Sequence, residues 1–323
     1  MNIPQKLLQL LCIPYAALIS ILFGLMLLSF PLGIYLVFNA DVDDNIHYDY
    51  IIGNVDLQWL VGFDLLISVG DAFTIIWCIF LGLFSISIFG RRANLLVSIK
   101  RILDAKPDVE YNTLIVVIKW FSILILVSLI VTTVQDHIGI PTEILDIDLI
   151  LIQFYRVLIA PLVEEPIFRV LLIGVPLFLL YNRKFSFTTF FSFLWRPNLT
   201  NSSKSTIPII IIISSIVFGL SHVLSGDLWT SGKFLQATLA GIILGWVYVH
   251  HGLICSILVH WATNYFIYGF ALFVADTNSI SVTDAFSHSL LNTLELLFVV
   301  TGILSVGIIL LVYFKNKYDY KMH

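Results

Sequence analysis

The sequence predicts an all-α, polytopic membrane protein with about eight transmembrane helices. Of its 323 residues, 59% are hydrophobic and only 12% are charged, and the mean hydropathy is +0.98. An average soluble domain is about 25% charged, so this composition excludes an ordinary soluble protein. A membrane helix needs about 20 apolar residues, which lets the apolar runs be counted as spans. They are predicted at 8–38, 72–90, 113–134, 161–181, 208–223, 234–250, 252–271 and 291–314.

The charges between the apolar runs support this count. Residues 39–71 contain seven aspartates and no lysine or arginine, whereas the next loop carries five lysines and arginines. The alternation continues along the chain, and 13 of the 17 basic residues fall on one side of an eight-span arrangement. By the positive-inside rule that side is the cytoplasm. Both termini are therefore predicted to be cytoplasmic.

The chain divides into three predicted parts. Residues 1–148 form N-terminal membrane helices with an acidic outer loop, in which 57–69 is a candidate for a short surface helix. Residues 149–272 form a core that carries the intramembrane polar groups. Residues 273–323 form the last membrane helix and a basic tail.

Two adjacent carboxylates and an arginine interrupt the fourth apolar run. A charge at the bilayer centre costs about 2.5–3.5 kcal/mol on insertion scales, so such residues are candidates for function. Glu165 and Arg169 are spaced i,i+4 and share a helix face, and an ion pair that only holds helices together is the alternative interpretation for them. Glu164 lies about 100° further round the helix and has no local partner. Pro166 lacks an N–H and disfavours helical geometry at the preceding residue, so this turn is predicted to be irregular.

Two of the eight histidines lie where they can join these acids. His222 ends the fifth apolar run, and Asn264 follows His260 by four residues in the seventh. His260 lies roughly 12 Å into its run at about 1.5 Å per residue. Because Glu164 and Glu165 begin the fourth run at its outer end, all these groups are predicted to meet in the outer half of the membrane. For either histidine alone, a packing role is the alternative.

These residues form three motifs that resemble those of a known family. The motifs are Glu164-Glu165-x-x-x-Arg169, Phe218-x-x-x-His222 and His260-x-x-x-Asn264. In this order on successive membrane helices they are similar to the motifs of the CPBP family, which comprises CAAX proteases and bacteriocin-processing, Abi-like enzymes. Its eukaryotic members include the type II CAAX prenyl endopeptidase. The resemblance covers about residues 150–272 and includes a glycine-rich stretch, 240–248, before the third motif.

The resemblance implies an enzyme, an intramembrane endopeptidase that hydrolyses a peptide bond in CAAX-like processing. It implies that Glu164 is the general base that activates water, helped by His222. The resemblance implies that His260 and Asn264 donate to the tetrahedral oxyanion. It also implies that Glu165 and Arg169 hold the site together. Aimed donors in a dry site are each worth about 2.7–4 kcal/mol of barrier.

Other interpretations stay open at this point. Glu164, His222 and His260 are also of the residue types that bind zinc, although the His-Glu-x-x-His signature is absent; no cofactor is favoured, and a zinc-dependent metalloprotease is the alternative. A non-catalytic membrane scaffold or immunity protein would keep the same fold, and a transporter would also place polar groups at membrane depth. The expected partners are a protein or peptide substrate, lipidated or membrane-anchored substrates included, and the lipid bilayer, with no nucleic acid.

Overall fold

The computed structural model describes residues 3–39, 47–55, 65–90, 93–106, 112–140, 150–181, 185–197, 206–224 and 232–322. Within these ranges the secondary structure is helical except for one two-stranded antiparallel sheet. Two short segments, Pro166–Gly174 and Ala262–Phe266, are wound as π-helix and continue directly from the α-helices before them. The α-helices are α1 (Ile3–Phe38), α2 (Val69–Phe89), α3 (Leu95–Leu103), α4 (Thr113–His137), α5 (Ile150–Glu165), α6 (Val175–Tyr181), α7 (Phe187–Trp195), α8 (Thr206–Leu224), α9 (Lys233–His251), α10 (Leu253–Trp261), α11 (Ile267–Asn278), α12 (Val282–Ala285) and α13 (Ser289–Met322).

Seven of the described helices are long and apolar enough to cross a membrane, and they coincide with seven of the eight predicted spans. The all-α, polytopic fold is therefore confirmed. The predicted fourth span, 161–181, is not among the seven because it belongs to the continuous helical run 150–181, which carries Arg156 as well as the two glutamates and Arg169. Every 18-residue stretch of that run contains at least three of these four charges. The orientation of the termini and the division of the chain near residues 148 and 272 stay predictions.

The most buried span runs from Leu253 to Asn278 and comprises α10, the second π-helical segment and α11. Of its most apolar 18 residues, 78% are buried inside the protein, against 28–56% in the other six spans. Helix α10 packs against α4, α5 and α9. Polar groups on this span are therefore directed at other parts of the protein rather than at lipid, and His260 is one of them, with only 4% of its surface exposed.

Helices α8 and α9 approach each other closely because glycines line their contact. A Cβ added at Gly241 would lie 3.0 Å from the Cβ of Ser215, and one added at Gly219 would lie 2.8 Å from the carbonyl oxygen of Phe234. Small residues allow membrane helices to pack backbone against backbone. This packing places the end of α8, with Phe218 and His222, against the start of α9.

The outer loop contains extended chain where a surface helix was the expectation. Leu65–Ser68 (β2) pairs antiparallel with Ile51–Val55 (β1), so residues 65–68 are not helical, and 57–64 lie outside the described residues. Ser68 then caps α2 through a reciprocal pair of hydrogen bonds with Asp71, in which the Asp71 N–H donates to the Ser68 hydroxyl and the Ser68 N–H to the carboxylate. This capping box starts α2 immediately after the strand, so none of residues 65–68 is helical.

Candidate active site

The acidic pair lies where α5 passes into the first π-helical segment. Glu165 is the last residue of α5 and Pro166 the first of the segment, and the backbone stays helical between them. Proline has no N–H to donate to the carbonyl four residues before it. In π winding, that carbonyl pairs instead with the N–H five residues after it, which belongs to the residue that follows the proline. The irregular turn expected from Pro166 is thus a local widening of the helix rather than a break. Such π-bulges are frequent at functional sites.

Glu165 is the centre of a fully buried polar network. Arg169 Nε lies 3.2 Å from Glu165 Oε2, and neither side chain has any exposed surface, which confirms the i,i+4 pairing. His260 Nδ1 lies 2.9 Å from Glu165 Oε1, and the Ser256 hydroxyl donates a hydrogen bond to Oε2. An unpaired buried charge costs several kcal/mol, so these three partners are what allows a carboxylate to stay here.

Phe218 joins the parts of the site contributed by three different helices. The Arg169 guanidinium lies over its ring, with Cζ 4.7 Å from the ring centroid, which is a cation–π contact. The rings of His222 and His260 lie 4.6 Å and 6.0 Å from the same ring, both edge-on. Phe218 therefore packs between Arg169 of the first motif, His222 of its own motif and His260 of the third.

His260 and Asn264 form the part of the site on the central span. His260 Nε2 lies 3.1 Å from Asn264 Nδ2. With Nδ1–H donating to Glu165, Nε2 carries the lone pair and accepts a hydrogen bond from the Asn264 amide, a tautomer assigned from this network. The amide nitrogen has a second hydrogen, which remains for another acceptor. The Thr263 hydroxyl donates to the Val259 carbonyl at 2.9 Å, a back-bond that competes with regular helix bonding and accompanies the π winding here.

Glu164 approaches His260 from the open side of the site. Its Oε2 lies 3.8 Å from His260 Nε2, beyond hydrogen-bond distance, and its side chain is 28% exposed. The same Oε2 is itself buried, and no group in the described part of the chain hydrogen-bonds it. His222 donates from Nδ1 to the Phe218 carbonyl at 2.9 Å, and it lies within electrostatic range of Glu164 and His260. The structure thus brings together all six residues singled out from the sequence; their catalytic roles stay predictions.

Sequence reasoning missed Ser256. It precedes His260 by four residues, as His260 precedes Asn264, so three polar side chains follow one face of the central span. That i, i+4, i+8 spacing was the available signal. The Ser256 hydroxyl also lies 3.2 Å from the Leu244 carbonyl, so it links α10 to α9 as well as to Glu165.

Of the three residues considered as zinc ligands, His222 and His260 have other partners in this arrangement. Among the residues that the structure describes, no three histidine, cysteine, aspartate or glutamate side chains are grouped to hold a metal ion. Both ring nitrogens of His260 are engaged, one by Glu165 and the other by Asn264. Binding of zinc by His260 requires one of these two contacts to break. The metal-free site stays a prediction.

Comparison with known protein families supports the resemblance of the three motifs to CAAX proteases. Residues 146–266 match the family model described as type II CAAX prenyl endopeptidase, Rce1-like. The match includes all three motifs and confirms the resemblance found in the sequence. Comparisons with curated proteins and with solved structures gave no match. The matched family is a protease family, and together with the seven apolar helices it supports an integral, multi-pass membrane protease of the CAAX type. Residues 146–266, somewhat more than a third of the chain, are therefore similar to the Rce1-like type II CAAX prenyl endopeptidase family.

Proposed function

We propose that the protein is an intramembrane endopeptidase that hydrolyses a peptide bond with water activated by Glu164. The observation that carries this proposal is the difference between the two adjacent carboxylates. Glu165 has three partners, whereas Glu164 has a partly exposed side chain and an oxygen that no described group hydrogen-bonds. A general base needs an oxygen that is available to the proton it takes. Of the two carboxylates, Glu164 meets that requirement.

In the proposed reaction, one proton passes from water to Glu164 and then to the leaving amine. Glu164 takes a proton from water as the water oxygen bonds to the carbonyl carbon of the substrate. His222, within electrostatic range of Glu164, orients that water. The second N–H of Asn264 donates to the oxyanion. His260, held at Nδ1 by Glu165, accepts the other N–H of that amide at Nε2 and so directs it. Glu164 finally passes its proton to the leaving amine nitrogen as the C–N bond breaks.

The proposed substrate is a membrane-anchored protein with a C-terminal CAAX sequence that carries a lipid. The family description names a CAAX prenyl endopeptidase. Beside Glu164, the side chains of Val163 and Ile167 are 49% and 45% exposed, and in a membrane span such residues face lipid. This apolar surface supports lateral approach of a lipidated chain to the open side of the site.

The test is cleavage of a fluorogenic, farnesylated CAAX peptide by the purified full-length protein in lipid vesicles. Glu164→Ala is expected to lower the rate roughly a thousand-fold, within the range for loss of a general base. Glu295→Ala is the matched control, because Glu295 is an exposed glutamate on α13, and it should retain full activity. Full activity of Glu164→Ala would disprove the proposal. Comparing the C-termini of membrane proteins in wild-type and Glu164→Ala cells would then identify the natural substrates.

The two alternatives make different predictions for the same material. A zinc-dependent metalloprotease requires about one zinc per chain and loses cleavage on chelation, whereas the metal-free mechanism survives a chelator. Elemental analysis of the active protein decides between them. A non-catalytic scaffold requires that Glu164→Ala cells keep the wild-type phenotype.

A further inference from the structure

Tyr265, the residue after Asn264, connects the second π-helical segment to the first two membrane helices. It is fully buried. The indole N–H of Trp77, on α2, donates to its hydroxyl at 2.9 Å, and that hydroxyl donates to the carbonyl of Ser29, on α1, at 3.1 Å. Three helices far apart in sequence thus meet at one hydroxyl group beside the site.

The ring of Tyr265 is held as firmly as its hydroxyl. It stacks on Phe154 of α5, with centroids 5.2 Å apart and planes 10° from parallel, and on Trp261 of α10, at 5.3 Å and 29°. Gly33 of α1 leaves the space for the hydroxyl, because a Cβ at that position would collide with it. The side chain therefore has one position, set by contacts from four helices.

We propose that Tyr265, held by Trp77 and Ser29, is a positioning residue that keeps the second π-helical segment in the winding that directs Asn264 at His260. A π-helical turn is rare and local, so tertiary contacts are needed to hold this one. Trp77 and Ser29 lie outside the matched region 146–266, so the inference assigns the first two spans a part in building the site. The proposed arrangement of Tyr265 and Asn264 does not depend on the proposed function, whereas the expected effect on cleavage rests on it.

The geometric part is tested by NMR on full-length protein labelled with ¹⁵N-histidine in detergent micelles. The His260 signals are assigned by their loss in His260→Gln, and Asn264→Ala shows how they shift when the donor to Nε2 is removed. Tyr265→Phe, which keeps the ring, should shift them in the same direction. Tyr15→Phe is the matched control, since Tyr15 is a buried tyrosine that accepts a hydrogen bond from Ser305 at 3.2 Å, and it should leave them in place. Unchanged His260 signals in Tyr265→Phe would overturn the inference.

The catalytic part is tested by kinetics on the farnesylated CAAX peptide. Tyr265→Phe should lower kcat on the order of ten-fold with little change in KM, since misplacement of a catalytic group by about 1 Å can cost up to about a hundred-fold. The double variant with Asn264→Ala should be no slower than Asn264→Ala alone, because both changes remove the same contribution; multiplied losses would contradict this role. Trp77→Phe removes one of the two hydrogen bonds and replaces Tyr265→Phe if that variant does not fold.

The failure of the inference can be told apart from the failure of the proposed function. If Glu164→Ala remains active, the proposed function fails and the NMR result still decides the inference. If Glu164→Ala is inactive and Tyr265→Phe is unaffected, only the inference fails.

Discussion

The two neighbouring glutamates of the site have opposite surroundings although they are adjacent in sequence. Glu165 is fully buried and contacts Arg169, Ser256 and His260, whereas Glu164 is 28% exposed and approaches His260 only to 3.8 Å. We call the first group, Glu165 with its three partners, the paired cluster. The comparison teaches that hydrogen-bond partners, rather than residue type, separate a supporting carboxylate from one that is available to react.

The largest expected effect is a difference in the free energy of unfolding between the alanine variants of the two glutamates. Glu165→Ala leaves Arg169 buried without its counter-ion and is expected to lower the free energy of unfolding by about 3–5 kcal/mol. Glu164→Ala removes a partly exposed carboxylate with one unbonded oxygen and should cost much less. Denaturant unfolding of both variants in mixed micelles measures this. Equal losses of unfolding free energy would show that the paired cluster contributes no more to stability than Glu164 does.

A smaller effect is expected for the serine of the paired cluster. Ser256→Ala removes a hydrogen bond to a buried carboxylate and should cost about 1.5–3 kcal/mol, whereas a hydrogen bond between neutral groups is worth about 1 kcal/mol. Ser214→Ala is the matched control, because Ser214 is also buried and donates to the Phe168 carbonyl at 2.7 Å. The same unfolding measurement applies. If Ser214→Ala proves the more costly change, Ser256 does not stabilise the charge of Glu165.

The smallest effect is expected where Phe218 contacts the paired cluster. Phe218→Leu removes the cation–π contact with Arg169, worth about 0.5–2 kcal/mol. Phe178→Leu removes a similarly buried ring that packs on Phe190, so the two variants share the loss of ring packing. The free energy of unfolding should fall by roughly 1 kcal/mol more in Phe218→Leu. Equal values would mean that the ring contributes packing alone.

Much of the fold followed from local features of the chain. Runs of about 20 apolar residues predict spans directly, and seven of the eight predictions coincide with helices of sufficient length and apolarity. The predicted span 161–181 is not among the seven because Glu164, Glu165 and Arg169 give it more charge than the other spans carry. The strand Leu65–Ser68 was missed because its pairing with Ile51–Val55 is a contact across the loop, and helical spacing within 57–69 carried no information about it.

The sequence by itself determined which side chains share a helix face. Spacings of four residues predicted the contact between Glu165 and Arg169 and the one between His260 and Asn264, because the α-helical repeat brings such pairs together. The order of the motifs also indicated which helices must meet. These inferences depend on the helical repeat, which brings residues four apart to one face, whereas the exact direction of each side chain is set by the winding of the two π-helical segments.

Only the tertiary structure decided how those faces are paired. That His260 turns its Nδ1 to Glu165 and leaves Glu164 the open side, and that Trp77 reaches Tyr265 across 188 residues, depend on how helices rotate and pack against one another. Apolar runs of similar composition do not encode that rotation, because lipid and protein interior are almost equally favourable for aliphatic side chains. Buried polar groups and close-packed glycines select it, and their partners lie on other helices.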